Sequence, residues 1–169
     1  MTFSDIQIIN INLSQSKQKF SIILIATDGS ESSMYAADYA IEMARKYTSE
    51  LIALYVIVSD ITIFGPGPPL HIDKTKQEAQ SYLDKIKHKL DQQMNNDNNE
   101  NNSNSKIKFK SEITESNYAA YGIVDFAEKE NCDVIVIGTR GRTGFKRLLL
   151  GSVASGVVTH AHCSVIVVR

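Results

Sequence analysis

Four short runs in this chain are almost wholly apolar: Phe20–Ala26 (FSIILIA), Leu51–Val58 (LIALYVIV), Asp133–Ile137 (DVIVI) and Ser164–Val168 (SVIVV). They are brief, rich in β-branched residues, and lack the alternation of a strand with one wet face. Runs of this kind suit strands buried on both faces, as in a parallel sheet covered by helices on each side. The segments between them carry the other periodicity. After the first run, Thr27-Asp28-Gly29-Ser30 is turn chemistry, Ser30 is an N-cap and Glu31 favours the first helical turn. Met34, Ala37, Ile41 and Ala44 then recur at spacings of three and four, which predicts a helix to about Tyr47. Strand, helix, strand over so short a stretch is a βαβ unit with parallel strands.

The pattern continues. Ile61–Leu70 holds three prolines and two glycines, which forbids regular structure and predicts a surface loop. A helix follows over Asp73–Met94, with Tyr82, Leu83, Ile86 and Leu90 on one face. In residues 95–105, seven of eleven are Asn; such a segment has nothing to bury and reads as a mobile loop insertion without a site. Lys106–Ile113 alternates polar and apolar, a strand with one wetter face near a sheet edge. Tyr118–Glu130 predicts a helix with Ile123, Val124 and Ala127 inward, and Ser152–Ala161 predicts the last helix. The expectation is one α/β domain over 20–169: a doubly wound, open, parallel five-stranded sheet with helices on both faces, Rossmann-like. Residues 1–19 read as an N-terminal extension. Ile6–Ile11 has the composition of an edge strand, but a terminal stretch this polar is more often loosely ordered.

Bulk composition narrows the function. The 169 residues carry a formal net charge of −1, so no global basic field draws the chain to nucleic acid or to an anionic membrane. No run approaches the roughly 18 apolar residues that a membrane helix needs. The two cysteines, Cys132 and Cys163, make no disulfide framework and fit a reducing compartment. The N-terminus lacks the basic start and unbroken apolar core of a signal peptide, so a cytoplasmic location is expected.

In open α/β sheets, ligands sit beyond the carboxyl ends of the strands, where the strand order reverses. Two segments here occupy such ends: Ala26-Thr27-Asp28-Gly29, and Gly138-Thr139-Arg140-Gly141 with its continuation to Gly151-Ser152. Gly138 and Gly141 allow close backbone approach, and positive φ where it is needed. Gly151-Ser152 lies where the last helix begins, and free N–H groups at a helix N-terminus form an anion site. Arg140, Arg142, Lys146 and Arg147 crowd the same loop of a slightly acidic chain. Together these point to a polyphosphate. Asp28 can accept hydrogen bonds from both hydroxyls of a ribose. Backbone groups of Ala26, Thr27 and Asp28, with Val56 and Ile137, can bracket a flat base.

At this point the sequence resembles the universal stress protein family, over nearly all of Phe20–Arg169. The family signature G-x2-G-x9-G-[ST] is matched by Gly138, Gly141 and Gly151-Ser152, and the opening IATDGSESS and closing GSVASGVVTHAHCSVIVV are similar too. The resemblance implies an adenine nucleotide alpha hydrolase-like fold and the ATP-binding branch of the family. It also implies a homodimer formed by pairing of the last strands. Carried over, the implied contacts are Ala26, Asp28 and Val56 for base and ribose, and Gly138, Arg140, Gly141, Gly151, Ser152 and Val153 for the phosphates. Mg or Mn would enter with the nucleotide, through its phosphates. The chain departs from the family pattern in having Ala26 where Pro is common, in the Asn-rich insertion and in the N-terminal extension.

Simpler readings stand beside these. The glycines can be turn residues, Asp28-Gly29 a turn and cap, and Arg142, Lys146 and Arg147 a solvated face. His160-Ala161-His162-Cys163 sits where histidines complement a helix C-terminus, and no further metal ligand is close in sequence. Both cysteines flank buried strands and read as core residues. The chain shows no Walker lysine motif and no nucleophile elbow, so no catalytic residue is assigned. The leading expectation is a nucleotide-dependent regulatory module. The alternatives are a slow ATPase or self-phosphorylating protein with Ser152 as acceptor, and a nucleotide-independent dimeric scaffold.

Overall fold

The computed structural model describes residues 6–9, 20–59, 70–95, 107–141 and 150–169. The elements run β1 (Ile6–Ile9), β2 (Ile22–Ala26), α1 (Glu31–Tyr47), β3 (Glu50–Val58), α2 (Leu70–Asn95), β4 (Phe109–Ser116), α3 (Ala119–Lys129), β5 (Val134–Gly138), α4 (Ser152–His160) and β6 (Ser164–Val168). They form one sheet in the order β1-β6-β5-β2-β3-β4. Strands β2 to β6 pair in parallel, as the apolar runs require. The chain winds outward from β2 through β3 to β4, then returns to the other side of β2 through β5 to β6. The strand order therefore reverses between β2 and β5.

Period-two alternation sends each central strand's side chains to opposite faces. On one face Ile23, Ile25, Leu51, Ala53, Val134 and Val136 pack beneath Ala37, Ile41 and Ala44 of α1 and Leu83, Ile86 and Leu90 of α2. On the other, Leu24, Ile52, Leu54, Ile135, Val165 and Val167 meet Ile123, Val124 and Ala127 of α3 and Ala154 and Val157 of α4. Fully burying one such Leu or Ile contributes about 1.5–3 kcal/mol. The ion pairs Lys76–Glu115, Lys87–Asp91 and Lys129–Asp125 are exposed, where such pairs give about 0–1 kcal/mol. The two apolar layers, not the surface charges, hold the fold. The Asp133 carboxylate adds one directed tie, accepting from the N–H groups of Ser21 and Ile22 at 2.7 and 2.9 Å and joining the starts of β5 and β2.

Several boundaries move. α2 begins at Leu70, before the expected Asp73. β4 covers Phe109–Ser116, not Lys106–Ile113, because its register follows β3 to the end, Val58 against Ser116. Ile107 is buried although it precedes the strand, so hydrophobicity alone misplaced the start. Asn95 closes α2; the rest of the Asn-rich loop, and the proline-rich loop up to residue 69, lie outside the described residues. Among the described residues, no helix is long and apolar enough to cross a membrane.

The reading of residues 1–19 needs correction at one point. Ile6–Ile9 is not loosely ordered but forms an edge strand: β1 joins the sheet, antiparallel to β6, with Ile6 opposite Val168 and Ile9 opposite Val165. A strand edge as apolar as that of β6 outweighs the low burial expected of a terminal segment. The edge on which the resemblance would place a homodimer contact is thus taken by the chain's own N-terminal strand.

Both cysteines are free thiols. Cys132 packs in the layer with α3 and α4, and burial raises its pKa from 9.0 to about 12; Cys163 shifts upward for the same reason. A raised thiol pKa favours the folded state fully below pH 9 and ceases to do so as the pH climbs through about 12. Stability measured by chemical denaturation should therefore fall across that alkaline range, and Cys132→Ala should flatten part of the fall. A thiol reagent at pH 8 should label Cys132 only on unfolding; rapid labelling of the folded chain at Cys132 would contradict the burial.

Candidate functional site

β2 leaves the sheet through Thr27-Asp28-Gly29-Ser30, and side chains fix this turn. Asp28 Oδ1 accepts from Ser30 N at 3.0 Å, and Thr27 Oγ1 accepts from Gly29 N at 3.1 Å. Ser30 caps α1, its Oγ accepting from Ser33 N at 3.2 Å. Gly29 holds φ at 79°, a left-handed conformation that favours glycine. Behind it stands the ring of Tyr82, so close that a Cβ on Gly29 would lie 2.4 Å from Cζ. Tyr82 stacks on the buried Tyr55 with centroids 6.2 Å apart. α2 is thereby a backstop for the turn that carries Asp28.

β5 leaves the sheet at the same end, through Gly138-Thr139-Arg140-Gly141. Thr139 N donates to Val168 O at 2.8 Å, and Gly151 N donates to Thr139 O at 2.7 Å. These two bonds tie the ends of β5 and β6 to the start of α4. Gly138 is pressed against α1: a Cβ there would lie 2.5 Å from Ser32 Oγ and 2.8 Å from Ser32 C. At Gly141 a Cβ would lie 2.8 Å from Asp28 Oδ2. Gly138 is required by its close approach to α1, and a side chain at Gly141 would meet the carboxylate of the β2 turn. Positive φ, expected here from the sequence, is found among the described glycines only at Gly29.

α4 starts with Gly151 as N-cap, at φ −71° and ψ 159°, and among the described residues it has no side-chain cap hydrogen bond. The N–H groups of its first turn have no intrahelical acceptors. Ser152 and Val153 are exposed. Arg140, one side of the same cleft, has its Nε buried with no hydrogen-bond partner among the described residues. Orphaned donors of this kind call for an acceptor.

Every candidate contact lines one cleft above the β2–β5 reversal: Ala26, Thr27, Asp28, Val56, Ile137, Gly138, Arg140, Gly141, Gly151, Ser152 and Val153. Sequence reasoning missed Ser33, Leu54, Ala119, Ile123, Thr139 and Ala154, which also line it. Thr139 lies inside the glycine turn and was within reach; Ala119 and Ile123 come from α3, which carried no ligand signal. Arg142, Lys146 and Arg147 lie outside the described residues. His160 stacks on Tyr121 at 5.2 Å, and His162 Nε2 lies 3.7 Å from Glu128 Oε2. Both contacts tie the end of α4 to α3.

The family model for the universal stress protein family matches residues 19–169. The chain belongs to that family. It is 36% identical over 167 residues to a universal stress protein of Methanocaldococcus jannaschii, covering 96% of this chain and 89% of that one. Among solved structures, hypothetical protein MJ0577 has a TM-score of 0.73 at 28% identity, over 89% of this chain and 96% of that one. A universal stress protein from Archaeoglobus fulgidus, solved in complex with dAMP, shares the fold at a TM-score of 0.61 and 19% identity, over 90% of this chain and all of that one. In the present member of the family, the Gly29–Tyr82 contact is testable by unfolding. Gly29→Ala should cost at least about 1–2 kcal/mol, the strain of a left-handed non-glycine residue. Pairing it with Tyr82→Ala should give a double variant less destabilised than the sum, since the ring no longer blocks the methyl. Strict additivity would show that the ring does not press on the turn.

Proposed function

We propose that this universal stress protein holds an adenine nucleotide, ATP, in the cleft at the β2–β5 reversal and acts as a nucleotide-dependent regulatory module in the stress response. The observation that carries this reading is the pairing of an uncapped α4 N-terminus with the partnerless Nε of Arg140 in one cleft. An anion satisfies both sets of donors, and the helix dipole favours it. The apolar flank formed by Ile137, Leu54 and Val56 suits a flat base. Asp28, in the turn that follows β2, accepts from the ribose hydroxyls in this reading. The phosphates then lie along Gly138–Gly141 and over Gly151, Ser152 and Val153, with Mg or Mn carried in on them. The dAMP held by the Archaeoglobus relative supports an adenine nucleotide as the ligand class. The free thiols suit work in the cytoplasm. Val153 stands exposed on the rim, where occupancy of the cleft is open to being read by a partner.

Calorimetric titration of the purified chain tests this. ATP should bind about tenfold or more tightly than adenosine, because the cradle engages the phosphates. Gly141→Val should weaken ATP about tenfold or more, roughly 1.4 kcal/mol or above, since its side chain is driven into the Asp28 carboxylate. A folded wild-type chain that binds no adenine nucleotide would sink the reading.

A further inference from the structure

Gly29 is the soft point of the turn that carries Asp28. Glycine has more backbone freedom than any other residue, and this one, at φ 79°, follows Asp28 directly in the chain. Two bonds restrain the turn from within: Ser30 N donates to Asp28 Oδ1 at 3.0 Å, and Gly29 N to Thr27 Oγ1 at 3.1 Å. Both are local, so they set the shape of the turn and leave its tilt against the sheet to contacts from outside. Toward β5, Ser30 Oγ reaches Arg140 O at 3.4 Å. Toward α2, the contact is Tyr82.

Ring carbons make that contact. A Cβ on Gly29 would lie 2.4 Å from Cζ and 2.5 Å from both Cε1 and Cε2 of Tyr82. The ring has little room to move. It stacks on Tyr55 of β3, itself 6% exposed, with 16° between the planes, and Lys85 Nζ lies 5.3 Å from its centroid. The helix beneath it is anchored on each flank. Leu83 and Ile86 are buried in the sheet layer. Lys89 Nζ donates to both Asp38 oxygens on α1 at 2.7 and 2.8 Å, and Lys76 Nζ lies 3.1 Å from Glu115 on β4. A side chain locked by packing on a helix fixes a neighbouring loop better than the loop fixes itself.

We propose that Tyr82 is a positioning residue for ribose recognition: pressed against Gly29, its ring holds the Asp28 carboxylate where it accepts from the ribose hydroxyls. This rests on the reading of the cleft as an adenine-nucleotide site. Tyr82 is not one of the described residues that line the cleft, so it acts through Asp28. Base and phosphates are held from β3, from the β5 turn and from α4, which the ring does not support. Loss of the ring is therefore felt at the ribose, where hydrogen bonds to a carboxylate depend on distance and angle. A ring that only filled the core would, on removal, weaken every nucleotide alike or none.

Calorimetric titration of the full chain with ATP and with dideoxy-ATP, which lacks both ribose hydroxyls, tests this. The wild type should prefer ATP by about tenfold or more, as hydrogen bonds to a charged acceptor provide. Tyr82→Ala should lose most of that preference by weakening ATP, with dideoxy-ATP binding nearly as before. Tyr82→Phe, which keeps the ring carbons, should retain the preference. In an Asp28→Ala background, Tyr82→Ala should weaken ATP no further. Should Tyr82→Ala not fold, Tyr82→Leu carries the same expectation, since its side chain stops short of the ring tip. A preference for ATP that survives loss of the ring overturns the proposal. So does an equal loss for both nucleotides, or a wild type that binds the two equally. A wild type that binds neither sinks the reading of the cleft itself, and this inference falls with it.

Discussion

Two turns leave neighbouring parallel strands at the same end of this sheet, and they have to share the space above it. Everything at the site follows from that crowding. Asp28 Oδ2 lies 2.8 Å from where a Cβ of Gly141 would be, and Ser32 Oγ lies 2.5 Å from where a Cβ of Gly138 would be. A side chain at Gly138 would push the β5 turn off the start of α1, and one at Gly141 would press on the Asp28 carboxylate. With glycine there, Ser30 Oγ can donate to Arg140 O at 3.4 Å, and Gly151 can close onto Thr139. Close approach of backbone to backbone builds the cleft floor before any ligand is considered.

The same constraint explains an asymmetry between two helices. α1 begins beside the β2 turn and is capped by Ser30, so its first-turn donors are partly satisfied within the chain. α4 begins beside the β5 turn with a glycine at the cap, which has no side chain to offer. A capping serine there would satisfy one of the orphaned donors that an anion is proposed to meet. The positive end of one helix is thus closed and that of the other left open, on the side where Arg140 already has an unpartnered donor.

Much of this was legible in the sequence because each signal had one physical cause. A fully apolar, β-branched run has few uses other than a central parallel strand, which is why β2, β3, β5 and β6 fell close to where the runs lie. Ser30 before Glu31 named the start of α1. The glycine spacing from Gly138 to Gly151-Ser152 brought together residues that do line one cleft. The physical reason for those glycines was not legible: sequence suggests conformational freedom, whereas the geometry at Gly138 and Gly141 is about space. Tyr82 escaped for a related reason. It is one of several apolar residues on an amphipathic face, and nothing in that spacing says that its ring ends over Gly29.

β4 and β1 failed in opposite directions, and both failures come from edges. A strand with one wet face alternates, and alternation marks a period without marking an end, so β4 slid by three residues until the register of β3 fixed it. β1 was undervalued because its own residues promise little burial. Its stability comes from the partner: β6 offers a complete row of backbone donors and acceptors on an uncharged strand, and any tethered segment able to extend alongside it gains those bonds. A short strand's existence can therefore be decided by a neighbour more than a hundred and fifty residues away, and a reading that scores each segment by its own composition has no access to it. The place to look for such a strand is the bare edge left over once the central strands have been ordered. In this sheet the ordering leaves two edges, one charged and one not, and only the uncharged one attracts the end of the chain.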